Sequence, residues 1–266
     1  MKKRIALITS DQQRHRWVAA QLTTFSELVS VVSESKPIDS QARSDNRNRE
    51  IARYFEERER RESFWFAEAP HDMAELGIPI LRCGWGQGNS PSNFNFLAKE
   101  DPELVFLFGC SIIRAPILSY YKGRIINMHL GLSPYYRGSS TNFWPLVDGL
   151  PECVGVTVHH AAYKVDGGNI LLQARPDVTS SDSSHDLGCK SIIAGASLIR
   201  KVVENSTGMV PGAMQSGGGK LCSREDFNLG ALRRMQKNFA EGMIADYVQA
   251  KERRDREYPI TEDAFK

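Results

Sequence analysis

Short apolar runs alternate with polar, helix-like stretches through the first half of the chain. Five runs have the length of a buried strand, and they lie at 5–8, 28–32, 78–81, 104–108 and 124–129. The stretch after the first run shows a helical pattern that contains Trp17, Leu22 and Phe25. Strands separated by helices are typical of βαβ units. The pattern therefore predicts an α/β fold, with a mostly parallel sheet flanked by helices.

The next part of the chain predicts a strand pair followed by a helix. Apolar residues at 154–159 and 169–173 predict a hairpin or two adjacent strands, and 183–203 predicts a helix. Because these segments continue the α/β pattern, we assign them to the same unit. We expect that unit to span residues 1–210.

A glycine-rich break at 216–219 precedes a helical ending. One face of the predicted helix there is apolar: Leu232, Met235, Phe239 and Met243. This face packs either on the core or against a second copy of the chain, so a homodimer is an open alternative. We expect a small hairpin and helix extension over 211–266, with a charged, solvated tail after Lys251.

Composition and charge narrow the function classes. Of 266 residues, 41% are hydrophobic and 25% charged, which excludes a wholly disordered chain. Lys and Arg number 34 against 32 acids, so we expect no nucleic-acid partner. Five scattered cysteines without a CxxC pair favour neither disulfides nor a metal site. We predict no signal peptide and no membrane insertion, and we therefore expect a cytoplasmic protein.

A charge run covers residues 45–62, with six arginines and six acids. A solvated helix with ion pairs four residues apart is the simpler interpretation. The alternative is a helix that faces a partner or a phosphate.

Three polar residues suggest acyl transfer to an amine. Asn127 and His129 are two positions apart on a predicted strand, so their side chains share a face. Asp166 precedes Gly167 and Gly168, which permit a tight turn that brings its carboxylate to an imidazole. Asn127 can stabilise a carbonyl oxygen, His129 can move a proton, and Asp166 can orient the imidazole. Taken singly, each is more typical of a structural histidine or a plain turn.

These segments resemble the folate-dependent formyltransferase family. Residues 127–138 read Asn-Met-His-Leu-Gly-Leu-Ser-Pro-Tyr-Tyr-Arg-Gly, similar to that family's Asn-x-His-x-Ser/Gly-Leu-x-Pro-x-x-x-Gly motif. Residues 155–159 and 165–170 resemble the family's second motif, and 107–116 resemble the strand and loop before both. The resemblance implies a Rossmann-like formyltransferase core, with residues 1–210 as the catalytic domain.

The resemblance also implies a co-substrate, 10-formyltetrahydrofolate, and a set of site residues. Asn127, His129 and Asp166 would be the catalytic residues, with His159 either supporting them or packing in the core. The pterin would lie against two segments, one of them cupping it largely through backbone groups: Ser111, Ile112 and Ile113, then Ala162, Tyr163, Lys164 and Val165.

Within the family, the likeness favours enzymes that formylate a nucleotide-linked amino sugar. Residues 135–146 and 219–227 are similar to enzymes of surface-polysaccharide synthesis, in pathways of the lipopolysaccharide and O-antigen type. Glycinamide ribonucleotide enzymes have a glycine-rich phosphate loop where residues 9–16 here contain no glycine. We expect neither the C-terminal barrel of the methionyl-tRNA enzymes nor the N-terminal regulatory domain of the hydrolases.

Basic residues near the first helix suit a nucleotide diphosphate. Arg14, His15 and Arg16 lie at its start, where guanidinium groups and the helix dipole both favour anions. We expect these three, with Tyr136 and Arg137, to contact the substrate. The alternatives are a formyltransferase for another small amine, such as glycinamide ribonucleotide, and a folate-binding module without catalysis.

Overall fold

The computed structural model describes residues 2–36, 49–205, 212–215 and 218–262. The strands in these ranges are β1 (Arg4–Ser10), β2 (Glu27–Ser35), β3 (Ile80–Gly84), β4 (Leu104–Leu107), β5 (Ile125–His129), β6 (Tyr136–Gly138), β7 (Val156–His160), β8 (Ile170–Ala174) and β9 (Lys220–Cys222). The helices are α1 (Gln13–Phe25), α2 (Arg49–Trp65), α3 (Pro91–Glu100), α4 (Ile117–Tyr120), α5 (Trp144–Asp148), α6 (Ser184–Asn205), α7 (Leu229–Ala240), α8 (Met243–Gln249) and α9 (Lys251–Glu257).

Seven strands form one sheet in the order β3-β2-β1-β4-β5-β7-β8. Strands β1 to β5 pair in parallel, whereas β7 pairs antiparallel with both β5 and β8. The mostly parallel α/β sheet and the hairpin predicted from sequence are thus confirmed. The chain leaves β1 in opposite directions, towards β2 and later towards β4. Ligands of open α/β sheets bind at such a switch point, beyond the carboxyl ends of the strands.

Both faces of the central strands are buried, which explains why they are apolar throughout. On β1, Ile5 and Leu7 belong to the cluster that includes residues of α1 and α6. Their neighbours Ala6 and Ile8 pack on the opposite face, in the cluster with residues of α3 and α4. The alternation follows the two-residue period of a strand.

The C-terminal region packs on the segment that follows β5. Strand β9 pairs in parallel with β6, and α7 and α8 share a buried cluster with α5. The single helix predicted through Met243 is wrong. Helix α7 ends at Ala240, and Gly242, with a φ of 88°, begins α8 in the left-handed region that glycine favours.

Helix α2 covers residues 49–62 of the predicted charge run, while 45–48 lie outside the described residues. Its Glu62 is buried, so this helix is not solvated on every side. Within the glycine-rich stretch at 216–219, residues 216 and 217 are outside the described ranges. Across those ranges, no helix has the length and apolar character needed to span a bilayer.

The packing of β1 predicts a stability difference between two apolar truncations. Leu7 is fully buried, so Leu7→Ala should lower the free energy of unfolding by about 2–5 kcal/mol. Phe64 is exposed on α2, so Phe64→Ala should change it by less than about 1 kcal/mol. Urea unfolding of both variants measures the difference. An equally small loss for both would show that β1 is not in the core.

Candidate active site

Asn127, His129 and Asp166 meet on the face of the sheet opposite α6. His129 Nδ1 lies 3.3 Å from Asp166 Oδ2, and Asn127 Nδ2 donates to Asp166 Oδ1 at 3.2 Å. His159 joins them, because its Nε2 lies 3.1 Å from Asn127 Nδ2. The structure therefore brings together the three side chains on which the acyl-transfer hypothesis depends.

Strand geometry explains this meeting. Asn127 and His129 project from one face of β5, and the antiparallel register pairs Asn127 with His159 of β7 on that same face. Asp166 lies on the loop between β7 and β8 and has a φ of 46°, in the left-handed region. That conformation is uncommon for a residue other than glycine, although aspartate tolerates it better than most.

Strand β6 covers the pair through its backbone. The carbonyl oxygen of Tyr136 lies 3.1 Å from His129 Nε2, and the Gly138 N–H donates to Asp166 Oδ2 at 2.9 Å. Gly138 has a φ of 96°, and a Cβ there would lie 2.1 Å from the carbonyl oxygen of Cys222. Glycine is thus required at 138 both for its conformation and for the close approach of β9.

Burial and charge keep His129 neutral and Asp166 ionised. Burial lowers the pKa of His129, and the nearby Asp166 carboxylate offsets part of this effect. For Asp166, burial alone would raise the pKa, but His129, His159 and the Gly138 N–H outweigh it and hold the pKa well below its ordinary value. The resting site therefore pairs a neutral imidazole with a carboxylate.

The surroundings of His129 are matched to its protonated form. An acceptor lies at each ring nitrogen, the Asp166 carboxylate at Nδ1 and the Tyr136 carbonyl at Nε2. A neutral ring carries one N–H and can satisfy only one of them. A ring that has taken up a proton donates to both. The geometry therefore suits His129 to accept a proton during a reaction.

Both amide hydrogens of Asn127 already have acceptors. One is directed at Asp166 and the other at His159 Nε2. His159 Nδ1 donates to the His160 carbonyl at 2.8 Å, so Nε2 of the neutral ring is free to accept. The role of Asn127 as oxyanion donor stays a prediction, since it requires Asn127 to give up one of these bonds.

The predicted pterin loop is fixed by a buried glutamate. Glu34, at the end of β2, accepts hydrogen bonds from the Ser111 N–H at 2.6 Å, the Ser111 hydroxyl at 2.7 Å and the Gly88 N–H at 2.8 Å. Asn89 adds a bond to the Ile112 carbonyl at 2.8 Å. The glycine-containing loop at 86–89, an uncertain sugar contact from sequence, thus supports the loop at 111–113. Sequence reasoning missed Glu34, whose only signal is an acid inside an apolar strand.

Exposed apolar side chains flank the site where a planar ligand would need them. Ile112 is 52% exposed and Tyr163 68% exposed, and Ala162, Lys164 and Val165 are exposed beside Tyr163. Ile113, in contrast, is buried in the core cluster. Two mobile-facing apolar surfaces on either side of a fixed backbone loop fit a pterin held mainly by main-chain groups.

The basic residues of α1 already have protein partners. Arg14 Nη1 contacts both carboxylate oxygens of Glu62, at 2.7 and 2.8 Å. Arg16 donates to the carbonyl oxygens of Asp11 and Pro70. His15 is buried against Phe108, and burial lowers its pKa well below the ordinary value. Their contact with substrate stays a prediction.

Tyr136 and Arg137 point to different surroundings. The Tyr136 hydroxyl donates to Asp148 at 2.9 Å, and only its backbone carbonyl reaches His129. Arg137 is 9% exposed, and its Nε has no hydrogen-bond partner among the described residues. Its charge is close enough to lower the pKa of His129. A buried guanidinium without a matching acceptor is suited to an anionic ligand.

A second group of cations lies where strands β2, β3 and β4 end, and sequence reasoning missed it. Lys36 Nζ lies 5.4 Å from the centre of the Trp85 ring, and Arg224 Cζ lies 4.9 Å from it. Burial, with Arg14 and Arg224 nearby, lowers the pKa of Lys36 to about 7. Across the residues described, neither Lys36 nor Arg224 forms an ion pair with a carboxylate. We call Lys36, Trp85 and Arg224 the basic cluster.

Comparison with known proteins places this geometry in a family. The sequence matches the profile described as Formyl transferase over residues 3–203. A methionyl-tRNA formyltransferase of Borreliella burgdorferi is 32% identical over 148 residues, which cover 52% of this chain and 47% of that protein. The chain thus spans about half the length of the curated relatives it matches.

Two solved structures show that the fold is shared. A phosphoribosylglycinamide formyltransferase from Anaplasma phagocytophilum is 16% identical with a TM-score of 0.57, over 84% of this chain and 100% of that one. A 4-N formyltransferase from Francisella tularensis is 17% identical with a TM-score of 0.54, over 90% of this chain and 87% of that one.

The His129–Asp166 contact predicts a titration shift. Because the Asp166 charge raises the pKa of His129, Asp166→Asn should lower that pKa further below its ordinary value. NMR titration of the imidazole signals measures it, and the exposed His71 serves as the control signal. An unchanged or raised pKa of His129 in the variant would contradict the assigned contact.

Proposed function

This chain belongs to the formyl transferase family, and we propose that it transfers a formyl group from 10-formyltetrahydrofolate to the primary amine of a nucleotide-linked amino sugar. The basic cluster beside the catalytic residues carries the proposal. It offers positive charge without carboxylate partners in the described chain, at the edge of the sheet where α/β proteins bind phosphate-bearing ligands.

The chemistry divides between the co-substrate and the catalytic residues. When bound, 10-formyltetrahydrofolate supplies the one-carbon group: a bond forms from the acceptor nitrogen to the formyl carbon, and the bond from that carbon to N10 breaks. His129 takes the proton that the amine loses, which gives both of its ring nitrogens an N–H and both neighbouring acceptors a donor. Return of that proton to N10 completes the exchange.

Asp166 stabilises the charged imidazole while His129 holds the proton. Its carboxylate stays ionised because Gly138, Asn127 and His129 all direct donors at it. Since the group lies in a buried, low-dielectric setting, this attraction is stronger than it would be in water. No serine or cysteine nucleophile is needed, because the acceptor brings its own amine.

The basic cluster lies close to these residues. Cys110, on the loop after β4, lies near enough to Lys36 and Asp166 for both charges to affect its pKa, which burial raises to about 12. One ligand could therefore place a phosphate at the basic cluster and an amine at the catalytic residues. The buried Arg137 adds a further cationic contact beside His129.

The start of α1 supports placing the phosphates at the basic cluster rather than on that helix. Gln12 and His15 cap the first turn reciprocally, and Arg14 and Arg16 are held by protein groups. A phosphate there would have to displace these contacts. Two cations on either side of the Trp85 ring, in contrast, can each bind a phosphate of a diphosphate without losing a carboxylate partner.

The setting of the reaction follows from the same proposal. The likeness of residues 135–146 to enzymes of surface-polysaccharide synthesis supports an acceptor of the lipopolysaccharide or O-antigen type. All five cysteines are free, as expected for a reducing cytoplasm in which such precursors are modified.

A panel of amines tests the substrate. The protein is incubated with 10-formyltetrahydrofolate and UDP-, GDP-, dTDP- or CMP-linked amino sugars, or with glycinamide ribonucleotide, and formylated products are detected by mass. We expect product from a nucleotide-linked amino sugar. Product from glycinamide ribonucleotide alone would contradict the proposed acceptor.

Variants of the catalytic residues test the mechanism. His129→Ala should lower kcat by about 10²–10⁴-fold, because a proton acceptor is lost. Asn127→Ala should lower it by about 10²–10³-fold if the amide stabilises the formyl oxygen. His71→Ala, an exposed histidine, is the matched control and should leave kcat unchanged. Wild-type turnover after His129→Ala would refute the role assigned to the imidazole.

The basic cluster predicts a pH-dependent affinity. Lys36 has a pKa of about 7 and loses its charge as the pH rises through that value, so acceptor affinity should fall between about pH 6 and about pH 8. Lys36→Gln should raise the acceptor KM about tenfold at the lower pH and flatten this dependence. Lys99→Gln, at an exposed position on α3, is the control. Equal KM values for Lys36→Gln and the wild type would remove Lys36 from the site.

A further inference from the structure

The segment at residues 212–215, beyond the part that matches the family profile, is tied to the strand pair that carries the Asp166 loop. Ala213 forms a two-way bridge with Ile170, the first residue of β8, with both N–H···O distances at 2.7 Å. This bridge places Gln215 beside the loop between β7 and β8. No function described above uses Gln215.

Gln215 clamps the backbone of that loop. Its Nε2 donates to the carbonyl oxygen of Asp166 at 2.9 Å and to that of Gly168 at 2.6 Å. Both partners are acceptors only, so the atom facing them must be the amide nitrogen with its two hydrogens. The two bonds fix the backbone on either side of the turn that presents the Asp166 carboxylate.

The same region of the chain also fixes the partner of that carboxylate. Strand β9 holds β6 through Lys220 N–H to the Tyr135 carbonyl and Ser139 N–H to the Cys222 carbonyl, both 2.8 Å. The opposite edge of β6 presents the Gly138 N–H to Asp166. The C-terminal region thus holds both sides of the hydrogen bond between Gly138 and Asp166.

We infer that Gln215 is a positioning residue that fixes the Asp166 carboxylate for its contacts with Gly138, Asn127 and His129. Asp166 has a left-handed backbone conformation that the chain would otherwise leave easily. The two bonds from Gln215 oppose that change. The inference rests on the proposed function for its effect on turnover, whereas the position of Asp166 can be measured without any reaction.

Hydrogen exchange at Gly138 tests the inference directly. Gln215→Glu keeps the size of the side chain but replaces the amide hydrogens with an oxygen that repels the two carbonyls. We expect the Gly138 N–H to exchange about five- to tenfold faster, because its acceptor on Asp166 moves away. Gln215→Ala should have the same effect. Met214→Ala, at the neighbouring exposed position, is the matched control and should have none.

The Ser139 N–H separates a positioning role from a structural one. It donates to Cys222 and not to Asp166, so its exchange rate should stay unchanged in Gln215→Glu. Unchanged exchange at Gly138 would overturn the inference. Equal acceleration at Gly138 and Ser139 would also overturn it, because β6 itself would then have opened.

Turnover gives the second readout. In Gln215→Glu we expect kcat to fall about 10–100-fold with little change in either KM, as for residues that orient a catalytic group from behind. An unchanged kcat with faster Gly138 exchange would contradict the catalytic part of the inference. If the wild-type protein formylates no amine, the proposed function fails, while the exchange rates still decide whether Gln215 positions Asp166.

Discussion

The buried carboxylate of Asp166 is the group on which the rest of the site depends. A charged carboxylate at this depth is costly unless donors surround it. Here Gly138 and Asn127 each donate a hydrogen bond, and His129 lies within ion-pair distance. Each of these groups comes from a different strand or loop, so satisfying one carboxylate fixes β5, β6 and the loop after β7 relative to one another. The proton chemistry of His129 is a consequence of that arrangement.

Two regions meet at this carboxylate, and each has a separate task. The sheet provides Asn127 and His129 on one rigid face of β5. The region after the matched part of the chain holds the Asp166 loop and β6 from outside, through Gln215 and β9. The basic cluster at the ends of β2, β3 and β4 completes the site with positive charge. A ligand that carries both phosphate and amine can engage the two ends at once.

The period of the strands and the quoted motifs were enough to predict the sheet and the meeting of Asn127, His129 and Asp166. Contacts between distant segments could not be predicted. Glu62 neutralises Arg14 from 48 positions away, and the predicted role of Arg14 overlooked that ion pair. Gly242 ends a helix that the apolar pattern would continue, because the sequence does not show a positive φ. Lys36 lies at a strand end that apolar residues alone placed too early, so the basic cluster was missed.

A crystal structure of the protein with tetrahydrofolate and a formylated nucleotide-linked sugar tests most directly whether one ligand joins the basic cluster to the catalytic residues. We expect the formamido group within hydrogen-bond distance of Asn127 or His129, and the phosphates in contact with Lys36 and Arg224. Phosphates bound at the start of α1, or a formamido group remote from His129, would contradict the assignment.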